Sequence, residues 1–216
     1  MTNRWFPETP IWEDEPCYII GGGPSLESFD WNKLRDRNVL GCNVAFYIGA
    51  DIVPITIFGD GLFLKQHRDG LENYHEQGGD IITPSNIVNR FNPPEYIKRI
   101  KKLHNGLGLD GLAWNGNTGA SAINLALLFG ANPIYLLGYD MQLSKEGKKN
   151  FHNAYSDTPN AKTYTRFLRG MASVARDLPK VFPGHQVINL EDETSALNCF
   201  PKESLKEHFS RVKETV

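Results

Sequence analysis

Short apolar runs alternate with longer stretches of mixed polarity along the whole chain. Cys17-Tyr18-Ile19-Ile20, Asn38-Val39-Leu40-Gly41-Cys42, residues 52–58, Asp80-Ile81-Ile82-Thr83, residues 134–137 and Val187-Ile188-Asn189-Leu190 read as strands, most of them closed by glycine or a polar residue. Between them, helices are predicted over 25–36 with Ser25 as cap, over 62–76, from Pro93-Pro94-Glu95 onward through Lys98, Arg99, Lys101 and Lys102, over 118–129 and over 161–178, with a charged amphipathic helix at the end. Strands that are apolar on both faces and alternate with helices predict an α/β fold. We expect a single domain over 1–216, with a mainly parallel sheet and helices on both faces. Residues 142–162 are rich in Ser, Lys, Asn and Asp, and a polar segment of that length reads as a lid.

Composition narrows the classes. The 216 residues are 40% hydrophobic, enough for a sizeable core, and the net charge of −2 gives no basic field to attract nucleic acid. No apolar run approaches the roughly 20 residues that span a bilayer, and the first residues lack the apolar core of a signal peptide. Three cysteines make no disulfide framework, and Cys17 and Cys42 lie in or beside strands as small hydrophobes. These features predict a cytoplasmic protein. A homo-oligomer remains open.

Candidate chemistry gathers at strand ends. Gly21-Gly22-Gly23-Pro24-Ser25 follows the first strand, and a helix starting after such a turn would aim N–H groups and partial positive charge at a phosphate. Asn43 follows the second strand, Asp60 the third and Asp140 the fifth of the predicted order. In an open α/β sheet these ends share one crevice at the switch point of strand order. Taken singly, Asn or Asp after a strand can merely shape a turn or cap a helix. Asn115-Gly116-Asn117-Thr118-Gly119 opens the long apolar helix and supplies a second helix N-terminus. We read Gly21, Gly22, Gly23, Pro24, Ser25, Asn43, Asp60, Asn117, Thr118 and Gly119 as a nucleotide site. Ser195, soon after a strand, reads as a turn residue, with ligand contact as the alternative.

Of the six histidines, His152 in the polar segment is the candidate base, with Asp140 beside it. His67 and His75 read as surface or partly buried residues of one helix, and His185 as part of a turn. Lys148, Lys149, Lys162 and Arg166 flank the segment as candidate phosphate clamps or as a solvated face. No zinc spacing, Gly-Lys-Ser/Thr loop or Gly-x-Ser-x-Gly elbow is present, so no metal ligand is assigned.

Ile19 to Leu26 resembles the Gly-x-Gly-Pro-Ser-Leu turn of the bacterial sialyltransferases of the CMP-sialic-acid type. It also resembles related proteins that include the archaeal 6-hydroxymethylpterin diphosphokinase. Asn117-Thr118-Gly119 through Ala126, then Ile134 to Asp140, is similar to the same superfamily's Thr/Ser-Gly helix followed by a strand ending Gly-x-Asp. Asn43 fits an asparagine at the second strand. The stretch from Val187 to Pro201 resembles the last segment of small phage and bacterial relatives. Gly22 stands where the sialyltransferases have asparagine, Asn115 where they have arginine and Gln142 where they have tyrosine. His152 follows Asp140 at a shorter spacing than their histidine. The resemblance implies a single Rossmann-like, nucleotide-binding domain and a metal-independent, glycosyltransferase-like transferase with a nucleotide-activated donor of the CMP type and an unknown acceptor. ATP-dependent, magnesium-requiring pyrophosphate transfer and nucleotide binding without catalysis are the alternatives.

Overall fold

The computed structural model describes residues 9–154, 161–192 and 195–213. The strands of its main sheet are β1 (Cys17–Ile20), β2 (Asn38–Cys42), β3 (Ile55–Ile57), β4 (Asp80–Thr83), β5 (Ile97–Arg99), β8 (Ile134–Leu137), β9 (Val187–Leu190) and β10 (Lys202–Glu203). They lie in the order β10-β9-β8-β1-β2-β3-β4-β5. Every ladder among the described residues is parallel, including the small pair β6 (Lys102–Leu103) and β7 (Leu112–Ala113). The expected α/β class is therefore the observed one.

The order of strands has a physical origin in β1. Cys17 and Ile19 face one way, into a core shared with α2 (Thr118–Leu128) and α3 (Ala161–Val181). Tyr18 and Ile20 face the other way, into a core shared with Phe209 of α4 (Leu205–Lys213). A strand apolar on both faces must lie inside the sheet. The chain travels outward from β1 to β5, then returns to pair β8 with the free side of β1. Strand order thus reverses between β1 and β8, where a crevice opens beyond the carboxyl ends.

Three predicted elements differ. No α-helix spans 25–36. Two short 3₁₀ turns stand there, Pro24–Leu26 and Trp31–Leu34, because Asp30 accepts Asn32 N at 3.1 Å and starts a new turn. Ser25 does not cap a helix; its hydroxyl goes to Asp140 instead. Pro93-Pro94 opens no helix either: Ile97 N closes a turn onto Pro94 O, and the chain enters edge strand β5. There Lys98 pairs with Asp80 on β4 at 2.6 Å. Lysine on an edge strand is a common guard against further pairing. The third strand is shorter than 52–58. Helix α1 (Gly61–Glu76) follows it, as predicted for 62–76, but kinks at His67, where φ is −123° and ψ is 20°.

Helix α4 is anchored by a chain of polar groups that starts in the core at Tyr18 and ends at the surface. Tyr18 Oη lies 3.0 Å from His208 Nε2, and His208 Nδ1 lies 3.0 Å from Glu203, which also pairs with Arg211. No helix among the described residues is long and apolar enough to cross a membrane.

Candidate functional site

A cleft of about 780 Å³ occupies the switch-point crevice. Gly21, Gly22 and Gly23 form one wall, Asn43 and Asp60 a second, and Gly116 to Gly119 at the start of α2 a third. The described part of the polar segment (Lys149, Asn150, His152, Ala154) and one face of α3 (Thr163, Tyr164, Arg166, Phe167) close it. Most of the residues expected at the nucleotide site therefore line one cavity. Pro24, Ser25 and Asp140 stand outside its lining.

The glycine turn has a different cause from the one expected. Gly21 N donates to Leu137 O and Gly23 N to Gly138 O, both at 2.8 Å, so the turn is stitched to the end of β8. A Cβ on Gly21 would meet Gly138 O at 2.6 Å. One on Gly23 would lie 1.6 Å from an Asp140 carboxylate oxygen and 2.5 Å from Gly138 O. These two glycines are demanded by the neighbouring loop. Only Gly22 turns toward the segment above it, with the Asn150 amide 3.2 Å and His152 Nε2 3.8 Å from where its Cβ would be. The three-residue turn that follows is too short to act as a helix dipole, so the expected phosphate-directed helix after β1 is absent.

Asp140 braces this turn. Its carboxylate accepts Ser25 Oγ at 2.9 Å, and its carbonyl accepts Ala196 N at 2.8 Å. Burial raises its pKa, and the Ser25 hydrogen bond works against that rise. Ser195 behaves as the turn residue expected, donating to Tyr139 O at 3.1 Å and accepting from Leu197 N at 3.0 Å.

The second helix N-terminus is present. Asn117 caps α2, its Oδ1 accepting Gly119 N at 2.8 Å. Its buried Nδ2 has no hydrogen-bond partner among the described residues. Thr118 Oγ1 donates to Asn43 Oδ1 at 3.3 Å, which orients the Asn43 amide at a left-handed φ of 54°. Asp60 caps α1 by accepting Leu62 N at 2.9 Å, so one of its oxygens is spent on structure. Gly119 admits the ring of Tyr139, which is buried and donates to Gly119 O at 3.2 Å.

Asn115 serves the fold. Its side chain accepts Gly106 N at 2.7 Å and donates to Gly106 O at 2.9 Å, pinning the loop before β7. Asn124 holds the same loop at Gly108 and Ala113. Removing such a buried pair of bonds leaves the loop amide and carbonyl unpaired. Asn115→Ala is therefore expected to cost about 2–4 kcal/mol in urea denaturation, while any nucleotide-induced rise in melting temperature persists.

The described part of the polar segment lies folded over the glycine turn; residues 155–160, also counted in the lid, fall outside the described residues. Lys148 pairs with Glu27, Phe151 N donates to Gly22 O at 3.2 Å, and the Phe151 ring sits 5.4 Å from Trp31. This places His152 in the cleft. Its Nδ1 accepts Ala154 N at 3.2 Å, and burial, then the neighbouring His67 and Lys149, lower its pKa to about 4. Lys149 and Arg166 bring positive charge to the cleft, whereas Lys148 is turned to Glu27.

Several cleft residues were not read as part of the site from the sequence. Tyr164 faces it with a buried hydroxyl lacking a partner among the described residues, its pKa raised first by burial and then by Asp140. His67 enters from the α1 kink, its ring 4.4 Å from Phe63 and its Nδ1 3.3 Å from Tyr47 Oη. Trp114 rests on Gly59 with Lys102 over its ring at 4.8 Å. Met141 completes the wall near Tyr139. Helical spacing from Ala161 marks Tyr164 only as a neighbour of an amphipathic stripe, so no local signal separates it from a solvated face; Arg166, read as a candidate phosphate clamp, does line the cleft. Among the described residues, no three His, Cys, Asp or Glu side chains are grouped as a metal ion would require.

Fold and cleft together define an α/β protein with a cleft at the switch point of a parallel sheet. Among solved structures, the chain is similar to the sialyltransferase CstII from Campylobacter jejuni in complex with a substrate analogue, cytidine-5'-monophosphate. That match has a TM-score of 0.55 and 15% identity over 89% of this chain and 86% of that one. It is similar also to the sialyltransferase CST-II in complex with trisaccharide acceptor and CMP (TM-score 0.55, 17% identity, 88% and 87% covered). A third similar structure is CstII with CMP-3FNeuAc (TM-score 0.54, 15% identity, 88% and 87% covered). At these identities the likeness is one of fold. No family model and no curated protein matches the chain.

Proposed function

We propose that this protein is a metal-independent, glycosyltransferase-like transferase that takes a nucleotide-activated donor of the CMP type. One observation carries the reading: the glycine turn, Asn43 and the N-terminus of α2 converge on a single cleft that also holds His152 and two cations. Solved structures of the same fold contain CMP or a CMP-sugar analogue, which supports the choice of donor.

In this reading the α2 N-terminus, the Asn117 and Tyr164 donors, Lys149 and Arg166 hold the phosphate. Charge-assisted bonds and a helix dipole favour the charge that grows on the leaving group. Gly22 lets the donor approach the backbone. An acceptor oxygen forms a bond to the activated carbon of the donor. The bond from that carbon to the phosphate oxygen breaks, and the nucleoside monophosphate leaves with the electron pair. The acceptor's hydroxyl proton passes to His152, which first releases the Ala154 N–H from Nδ1. Asp140 acts as a positioning residue for the turn.

The test is a thermal-shift panel of CMP, UDP, GDP and ATP, with and without EDTA. Stabilisation of several degrees by CMP at saturating ligand, unchanged by EDTA, is expected. No shift with any nucleotide would sink the proposal. A shift with ATP alone, together with magnesium-dependent AMP release on a pterin, would reassign the protein to pyrophosphate transfer.

A further inference from the structure

A second concavity runs beside the cleft. This groove, of about 580 Å³, shares Val44, His152 and Ala154 with it. Its walls carry four aromatic side chains, Phe29, Trp31, Tyr47 and Phe151. Trp31 lies 5.4 Å from Phe151 and meets Phe29 edge-on at 5.1 Å, so these rings are fixed by one another. Tyr47 is 59% exposed, although its hydroxyl is tied to His67 at 3.3 Å. At the groove's lip stand Asp30 and Asn32, both exposed. Asp30 Oδ1 holds Asn32 by its backbone N and its Nδ2, at 3.1 and 3.2 Å, and Asp30 Oδ2 has no partner among the described residues. Among the described residues no lysine or arginine lines the groove; Lys33 stands 5.7 Å from the Phe29 ring centroid, and Arg35 reaches Asn32 Oδ1 at 3.3 Å while paired with Asp51 at 2.9 Å.

This chemistry selects an occupant. The C–H face of a pyranose carries weakly positive hydrogens and lies well on the negative face of an aromatic ring, while its hydroxyls donate at the edge. A fixed carboxylate beside rigid rings is suited to that geometry. A flat ligand without hydroxyls would bury Asp30 against an apolar edge without a donor. An acidic sugar would set its carboxylate beside Asp30, while the two cations close by are already engaged, Arg35 with Asp51 and Lys33 over the Phe29 ring. We propose that the groove is the acceptor subsite and takes an uncharged pyranose. The hydroxyl nearest His152 would be the one that attacks the donor. The proposal rests on the donor reading of the neighbouring cleft, because the two concavities meet at His152.

The test uses the full chain with saturating CMP. Saturation-transfer NMR and calorimetry are run with methyl β-galactopyranoside and methyl β-glucopyranoside, and with the methyl glycosides of galacturonic and glucuronic acid. At least one neutral glycoside is expected to bind about tenfold more tightly than its acid. Tyr47→Ala and Asp30→Asn are each expected to weaken the neutral sugar about tenfold, with the CMP affinity and melting temperature kept. Asp30→Asn keeps the Oδ1 acceptor that Asn32 needs, so loss of sugar there is not loss of fold. The proposal is overturned if CMP binds and neither neutral glycoside does, if the acids bind as well as the neutral sugars, or if both variants bind sugar as the parent does. Failure of CMP itself to bind would instead overturn the donor reading, and the same sugar titration without CMP then judges the groove alone.

Discussion

Replacing His152 with asparagine is expected to lower the kcat of transfer by roughly 10²–10⁴ while leaving the Kd for CMP within about threefold. The imidazole sits over Gly22, where the cleft and the aromatic groove meet, and an amide of similar size keeps the packing without accepting the proton. The pH profile gives a second readout. Burial holds the His152 pKa down at about 4, below the ordinary histidine value. A group depressed in this way stays neutral, and able to accept a proton, until the pH falls toward that value. The acid limb of kcat/KM is therefore expected near pH 4 and to vanish in the variant. An acid limb near the ordinary histidine value, or one retained in His152→Asn, would remove His152 from the role. His67→Asn is the control: full loss there with an active His152 variant would move the base to His67, which lines the same cleft. Depression also sets the sign for stability. The unfolded chain binds the His152 proton more readily, so stability present above the ordinary histidine pKa is lost as pH falls toward about 4.

The largest effect on the fold of the site is expected from Gly23→Ala. The added methyl would lie 1.6 Å from an Asp140 oxygen and 2.5 Å from the backbone of Gly138. The carboxylate can swing away, but only by giving up Ser25; the Gly138 carbonyl cannot move without breaking its bond from Gly23 N. Overpacking of this kind costs about 1–3 kcal/mol or more. Chemical denaturation should show that loss, and the CMP shift in melting temperature should fall with it because the turn no longer follows β8. Gly22→Ala is the matched comparison. Its methyl would meet the Asn150 amide at 3.2 Å, a side chain that can give, so stability should change little and any loss should fall on ligand binding. Equal destabilisation by the two substitutions would contradict this division of labour.

The legible parts of the fold were those whose signal is local. The apolar runs of β1, β2, β4, β8 and β9 and the long stretches of α1, α2 and α3 fell where burial on two faces or on one stripe placed them. Residues 25–36 misled because Leu26, Phe29 and Leu34 keep helical spacing while Asp30 binds its own backbone two residues on and breaks the helix. Ile97 and Ile100 also keep a helical spacing. They extend the sheet instead, because Asp80 takes Lys98 and Thr83 O accepts Ile100 N at 3.0 Å.

The sequence by itself determined an α/β sheet with polar residues and glycines at its strand ends, since strand periodicity, glycine turns and helix caps are properties of a few adjacent residues. It could not say why the glycines are there. Gly21 and Gly23 answer to a loop more than a hundred positions away, as the Ser25–Asp140 bond across 115 residues shows. Only the tertiary structure made Asn115 a loop pin and Asp140 a brace. The same structure brought His67, Trp114 and Tyr164 into the cleft and set an aromatic groove beside His152. Those assignments depend on which distant backbone donors and carbonyls each side chain meets, and that is settled when β8 returns to pair with β1.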